Sequence, residues 1–396
     1  MRRTGLCRRN SERLGAALGV ALLLLALLGG LVAAPVVHAQ STTLPDVPKV
    51  TAKAVYSIDI SAGVELMSKN ADEELPPAST TKIVTAIVVV NNINLNDEVT
   101  IDPQDVYQDG ESHMGLIAGD TVSVENLLYG VMLPSGNDAA RSLARFVGMN
   151  LLAKDGKSGD PIARFVDEMN KEVDALSLKH THFTNPDGLD DKGHYSSARD
   201  LAIAASVLLE NDTLAKIVKT GSLDVTSDTA TPTTYSLVNT NTMLTDGNHP
   251  DVQGVKTGGT SDAGACLVLA TWAKGGNHII TVVLGSDLSY DENGVPDEST
   301  DKRYDDVQAV LDAINADYAW LDADVPGLND ELAAWQVSLA SKAKVVVRKG
   351  GDQTLKFLLQ LGPEGKANAQ VGQVLFFIGS EQVAARPVVQ DKTSGG

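Results

Sequence analysis

The chain has 396 residues, 43% of them apolar, which is enough for about two domains with a sizeable core and speaks against disorder. Its formal net charge is −19, from 51 acidic and 32 basic residues, without the clustered Lys and Arg that binding to phosphate backbones requires. Nucleic acid is therefore not an expected partner, and the acidity speaks mainly for solubility.

Residues 1–39 open with Arg2, Arg3, Arg8, Arg9 and Arg13 and continue into an apolar stretch from Leu14 to Val37. They close on Val37-His38-Ala39, near the small-x-small pattern of a processing site, and read as an export signal. The apolar run is also long enough to span a bilayer, so a retained anchor is the alternative. Gly29, Gly30 and Pro35 near its end favour cleavage. Cleavage would remove Cys7 and leave Cys266 alone, which excludes an intramolecular disulfide and a multi-Cys zinc site in the processed chain.

Beyond that lead, Ala54 to Ile60 alternates β-branched and polar residues, and Ser61-Ala62-Gly63 turns it into a second strand, predicting a hairpin. Pro76 and Pro77 stop extended structure, and from Ser79 a helix is expected whose residues Ile83, Val84, Ala86, Ile87 and Val90 cover most of its circumference. Such a helix belongs inside a domain. Helices are expected over 121–132 and 139–147, interrupted by Pro134-Ser135-Gly136-Asn137, and again over 162–177 and 197–210. The stretches 223–234 and 287–301 read as surface loops, 252–272 and 278–285 as neighbouring strands, and 304–321 as helix. From about Pro326, short Val/Leu/Phe runs separated by Gly predict a small β module, in which Trp335-Gln-Val-Ser-Leu is one strand. Trp320 and Trp335 bracket the junction and are expected to pack there. Helices before and between strands joined by short turns predict an α+β fold on a mainly antiparallel sheet.

Three short motifs carry chemistry. In Ser79-Thr-Thr-Lys82, residues three apart share a helix face, so the Lys82 amine lies beside the Ser79 hydroxyl. A serine hydroxyl needs such a base, and desolvation near another cation lowers a lysine pKa enough for the task. Ser135-Gly136-Asn137 supplies a proton relay and an amide on a turn, and Lys256-Thr257-Gly258-Gly259 a cation, a hydroxyl and glycines that admit a substrate backbone to a strand. Each motif alone is weak: Ser79 could be a plain helix cap and Lys256 to Gly259 a simple turn. Their order and contexts together point to a serine acyltransferase site.

With its surroundings, Pro77-Ala-Ser-Thr-Thr-Lys-Ile-Val-Thr-Ala, Met132-Leu-Pro-Ser-Gly-Asn-Asp-Ala-Ala, Thr181-His-Phe-Thr-Asn-Pro-Asp-Gly-Leu-Asp and Gly254-Val-Lys-Thr-Gly-Gly-Thr, the chain resembles the low-molecular-mass penicillin-binding proteins that are serine-type D-alanyl-D-alanine carboxypeptidases. The resemblance runs from about Ala54 to Leu321 and more weakly beyond. It implies a penicillin-binding/β-lactamase-like domain, an antiparallel sheet flanked by helices, over 40–325, with a small β-rich domain over 326–396. It also implies that Ser79 is the nucleophile, Lys82 its base, Ser135 and Lys256 the proton path, and Asn137 the group that positions the peptide. Thr257 and Arg303 would bind the terminal carboxylate, and the oxyanion would lie at the N–H groups of Ser79 and Gly259, with Gly258 beside them. The implied substrates are peptidoglycan stem peptides ending in D-Ala-D-Ala, the implied inhibitors β-lactams, and no metal or cofactor is required.

Two features depart from relatives. Where some have an arginine inside an Asn-x-Asn ahead of the Lys-Thr-Gly strand, this chain has Asn239-Thr240-Asn241. Its end, Asp391-Lys-Thr-Ser-Gly-Gly, is too polar and short for a membrane-binding helix, so any attachment would be through the N-terminal segment. The same scaffold could act as a D,D-endopeptidase on cross-links. A β-lactamase is disfavoured because Glu168-Met-Asn-Lys lacks the Glu-x-x-Leu-Asn deacylation pattern, and a non-enzymatic wall scaffold because the motifs are intact. His180 and His182 lack an acidic or Cys partner at zinc spacing, and the stretch from Ser289 lacks a calcium loop's first Asp and twelfth Glu.

Overall fold

A computed structural model describes residues 44–391, apart from 107–109, 293, 351–352 and 364. The expected export signal lies outside the described residues. Strands β1 (Ala54–Asp59) and β2 (Val64–Lys69) form the hairpin, and a 3₁₀ turn (Ala78–Thr81) leads into α1 (Lys82–Asn92). Next come β3 (Glu98–Thr100), β4 (Thr121–Ser123), α2 (Val124–Met132), α3 (Asn137–Asp155), α4 (Pro161–Ala175), α5 (Ala198–Glu210) and α6 (Asp212–Lys219). A second hairpin, β5 (Ser222–Thr226) and β6 (Thr234–Val238), precedes α7 (Thr242–Thr245) and the strands β7 (Val252–Thr260), β8 (Gly264–Trp272) and β9 (His278–Ser286). The short pair β10 (Ser289–Tyr290) and β11 (Pro296–Asp297) leads to α8 (Arg303–Asp317). The chain continues through β12 (Tyr318–Leu321), α9 (Leu328–Ala334), β13 (Val337–Leu339), β14 (Val345–Arg348), β15 (Leu355–Leu361), β16 (Gln370–Ile378) and β17 (Glu381–Gln390).

The central sheet has the order β2-β1-β9-β8-β7, antiparallel throughout. Its middle strands read as continuous apolar runs because both faces are covered. Along β8, Cys266, Val268 and Ala270 enter the core shared with α1 to α6, while Leu267 and Leu269 enter a second core with Val307, Val310 and Ile314 of α8. This is the α+β architecture expected: helices, sheet, helix. Helix α1 is buried from Lys82 to Val89, as its nearly all-round apolar sequence requires.

Several local readings change. The Ser79 segment starts as a 3₁₀ turn rather than an α-helix. Residues 121–123 pair with 98–100 as a strand before α2 begins, and Ser123 caps that helix by accepting from the Asn126 N–H. The expected loop over 223–234 is mostly the β5–β6 hairpin, in which alternate residues such as Val225, Tyr235 and Leu237 are buried. Helix α8 stops at Asp317, and Tyr318 to Leu321 pairs with Val345 to Arg348. Trp335 is not a packing residue: it follows the short helix α9 and is 60% exposed.

The C-terminal strands form a sheet of order β13-β17-β16-β15 over a third core that includes Val345, Val374, Phe376 and Val388. A buried polar cluster ties this module to the central sheet. The Asp59 carboxylate accepts from Trp320 Nε1 (2.9 Å), Asn277 Nδ2 (2.8 Å) and the Ala62 N–H (2.8 Å). Asn277 Oδ1 accepts in turn from the Lys344 N–H, and Arg386 donates to the Lys344 carbonyl. No helix among the described residues is long and apolar enough to cross a membrane. Asp59→Ala leaves the Trp320 indole N–H and one Asn277 Nδ2 hydrogen without an acceptor, the other staying on the Lys344 carbonyl, at a cost of about 2–3 kcal/mol. A thermal melt should therefore show a midpoint several degrees below wild type; an unchanged midpoint contradicts this role.

Candidate active site

Lys82 has no exposed surface, and its Nζ lies 2.9 Å from Ser79 Oγ, 2.7 Å from Asn137 Oδ1 and 2.6 Å from the Asp187 carbonyl. The 3₁₀ turn, at three residues per turn, stacks Ser79 and Lys82 directly. Burial, opposed mainly by the charges of Asp187 and Glu111, pulls the Lys82 pKa down to about 8. A neutral amine at this position donates to the Asn137 and Asp187 oxygens and keeps its lone pair for the Ser79 proton. That is the arrangement of a general base and its nucleophile.

Ala78 (φ +48°) and Ser135 (φ +63°) both occupy the left-handed region, where each costs on the order of 1–2 kcal/mol. One precedes Ser79; the other turns the chain between α2 and α3 so that Ser135 borders the cleft. Helix α3 then begins at Asn137, whose Nδ2 donates to Glu111 Oε2 at 2.9 Å. Asp138 accepts from the N–H groups of Met114, Gly115 and Leu116. The start of α3 thus fixes the chain from 111 to 116 along one rim of the site.

Strand β7 forms the opposite wall. The ideal Cβ of a residue at 258 would fall 2.9 Å from the Ser79 nitrogen, so only glycine lets this strand lie against the nucleophile turn. Lys256 is buried and donates to the Thr257 carbonyl (3.1 Å); among the described residues no hydrogen bond joins it to Ser135. Burial, with Lys82 and Arg303 nearby, holds its pKa well below the usual lysine value. Thr257 Oγ1 and Thr240 Oγ1 are 2.5 Å apart, so Thr240 of the departed Asn-x-Asn sits at the cleft as a hydroxyl. Arg303, the first residue of α8, is clamped by Asp301 through Nε and by the carbonyls of Gly258 (2.7 Å) and Cys266 (3.2 Å) through Nη1.

The resulting cleft has a volume of about 220 Å³. Ser79, Ser135, Thr257, Gly258, Gly259 and Arg303 line it, together with Tyr290 and Glu298 from the acidic loop. Lys82, Asn137 and Lys256 lie one layer beneath, each almost fully buried. All nine residues singled out in the sequence therefore converge on one place, although Asn137 meets Lys82 and Glu111 rather than facing the cleft openly.

The sequence profile of the family described as D-alanyl-D-alanine carboxypeptidase matches residues 40–288, well over half of the chain. The chain belongs to this family. The D-alanyl-D-alanine carboxypeptidase DacF of Bacillus subtilis (strain 168) is 36% identical over 247 residues, a match covering 61% of this chain and 59% of the relative. The structure of the Streptomyces K15 DD-transpeptidase is 34% identical with a TM-score of 0.58, covering 68% of this chain and 99% of that one. Penicillin binding protein 5 from Haemophilus influenzae is 26% identical with a TM-score of 0.65, covering 88% of this chain and 99% of that one, so its likeness extends into the C-terminal strands.

Three side chains around Lys82, those of Glu111, Arg141 and His194, lie outside the quoted motifs, and Asp187 lies inside one without a role assigned to it. The Asp187 carbonyl comes from the turn Asn185-Pro-Asp-Gly188, a loop signal that names no partner. Glu111 and Arg141 have no motif at all. His194, pushed down to a pKa of about 4 by burial, accepts the Thr184 N–H at Nδ1, so its Nε2–H donates to Thr81 Oγ1 beside the nucleophile (2.8 Å). Gly188 (φ +86°) lies so close to Ala78 that a Cβ would fall 2.0 Å from the Ala78 carbonyl oxygen. Gly188→Ala should lower stability by on the order of 2–3 kcal/mol and, by displacing Asp187 and Ala78 together, slow acylation of Ser79 by a fluorescent penicillin. An unchanged melt and acylation rate contradict that packing.

Proposed function

We propose that this protein is an exported serine-type D-alanyl-D-alanine carboxypeptidase that removes the terminal D-Ala from peptidoglycan stem pentapeptides. The observation that carries this reading is the buried Lys82 amine, 2.9 Å from Ser79 Oγ, under a cleft that ends in Thr257 and Arg303. Ser79 Oγ attacks the penultimate D-Ala carbonyl and passes its proton to Lys82. The tetrahedral oxyanion is held by the backbone N–H groups of Ser79 and Gly259. Collapse breaks the peptide bond, and the leaving amine takes a proton along Ser135 and Lys256. Water then adds to the Ser79 ester, and its hydrolysis returns the serine.

Thr257 and Arg303 recognise the terminal carboxylate, the charge that separates a chain end from an internal bond. Asn137 holds Lys82 by its oxygen and offers a hydrogen of its nitrogen to the substrate amide. Thr240 stands where some relatives have an arginine, so here a hydroxyl supports Thr257 and Arg303 supplies the cation. β-Lactams, which present the same acyl and carboxylate groups in a ring, acylate Ser79 and are trapped there. Export rests on the reading of residues 1–39.

The test is release of D-alanine from a peptide ending in L-Lys-D-Ala-D-Ala by residues 40–396 and by Ser79→Ala. Wild type should release D-alanine and the variant should fall to background. Release by both contradicts Ser79 as nucleophile. No release by a folded wild type that does split a cross-linked dimer gives the endopeptidase, and transfer of the acyl group to an added amine in place of hydrolysis gives a transpeptidase.

A further inference from the structure

Beneath the cleft, Arg141, Glu111 and Asn137 form a chain of contacts that ends at Lys82. Arg141 lies one turn beyond Asn137 on the same face of α3. Its guanidinium grips the Glu111 carboxylate with both arms, Nη2 to Oε1 at 2.5 Å and Nη1 to Oε2 at 2.9 Å, and also reaches the carbonyls of Asp105 and Val106. A second turn along, Arg145 makes a bidentate pair with Asp105. The carboxylate so fixed accepts one hydrogen of Asn137 Nδ2, while Asn137 Oδ1 faces Lys82.

The direction of that amide matters most when Lys82 is neutral. A protonated Lys82 keeps Oδ1 toward itself by charge alone. Once neutral, it would be served equally well by a flipped Asn137 whose Nδ2 donates to the amine lone pair, and that lone pair is the one needed by the Ser79 proton. Flipping would also turn Oδ1 toward the Glu111 carboxylate, placing two acceptors against each other. We propose that Glu111, clamped by Arg141, is a positioning residue that locks the Asn137 amide with its oxygen toward Lys82 and so keeps the base free for Ser79. The inference rests on the acyl-enzyme reading above and assigns it a further residue.

The charges around Lys82 give the lock a signature in pH. Facing Lys82 are Asp187 and Glu111 from the loops, Asp138 and Arg141 from α3, Lys256 from β7, and the neutral His194. Removing the Glu111 charge takes away a group that favours the ammonium and leaves Arg141, which opposes it. The base therefore loses its proton at lower pH while becoming a poorer catalyst.

The experiment follows acylation of residues 40–396 by a fluorescent penicillin across pH 5–10 for wild type, Glu111→Gln and Glu111→Ala, with melts of each. Glu111→Gln keeps the volume and an acceptor but not the charge, so it remains informative if the alanine variant fails to fold. The lock predicts a folded Glu111→Gln that acylates about tenfold more slowly at saturating penicillin, with its acid limb shifted to lower pH than the wild type's. Wild-type rate and limb in a folded variant overturn the inference. So does a change confined to the penicillin concentration needed, because that marks a residue that contacts ligand or merely shapes the rim. A folded wild type that is never acylated overturns the acyl-enzyme reading itself, and the lock with it.

Discussion

A lysine amine with no access to water, enclosed by one hydroxyl and two fixed oxygens, is the constraint on which the rest of the site depends. Burial disfavours an ammonium at Lys82, the charges of Asp187 and Glu111 favour one, and the compromise near 8 leaves a useful fraction of free base at neutral pH. Neither force can be relaxed alone. A more open site would return Lys82 to an ordinary, fully protonated lysine, and loss of the acceptors would leave a buried donor unsatisfied.

Much of the architecture serves that compromise. Glycine is required at 188 and 258 because two stretches of backbone close on the Ala78–Thr81 turn from opposite sides, and any Cβ there would push one of them away. The left-handed Ala78 and Ser135 are strained backbone held in place by the same closure. Helix α3 contributes Asn137 to the base, Asp138 to the rim and Arg141 to the loop opposite, so a single helix start organises one side of the cleft. The Asp59 cluster plays a similar part at the far end of the sheet, where burial raises its carboxyl pKa and hydrogen bonds from Asn277 and Trp320 offset the cost.

What was legible in the sequence was local. The spacing of Ser79 and Lys82 survives the change from α-helix to 3₁₀ turn because residues three apart share a face in both. The central strands were readable as long apolar runs, and the family follows from short motifs that bring their own geometry. The 223–234 hairpin was hidden because its strands have one polar, exposed face and a Ser/Thr/Asp-rich turn, a composition that reads as loop. The strand after α8 was hidden because Tyr318 to Leu321 continues the helical pattern and changes form only by pairing with residues near 346. Trp335 looked like packing because it is a tryptophan at a junction; nothing local reveals that its side chain faces solvent. Glu111, Asp187 and His194 meet Asn137, Lys82 and Thr81 across 26, 105 and 113 positions of the chain, Arg141 joins them through Glu111, and no periodicity carries such pairings.

The most direct measurement is the titration of Lys82 itself, by NMR of protein with 13C at the lysine Cε positions and with Lys82→Arg to assign the resonance. The resonance lost in Lys82→Arg should titrate near pH 8. A Lys82 resonance that titrates near the ordinary lysine value of about 10.4 would contradict it, because the base would then be a protonated amine at working pH and the buried geometry around it would have another purpose.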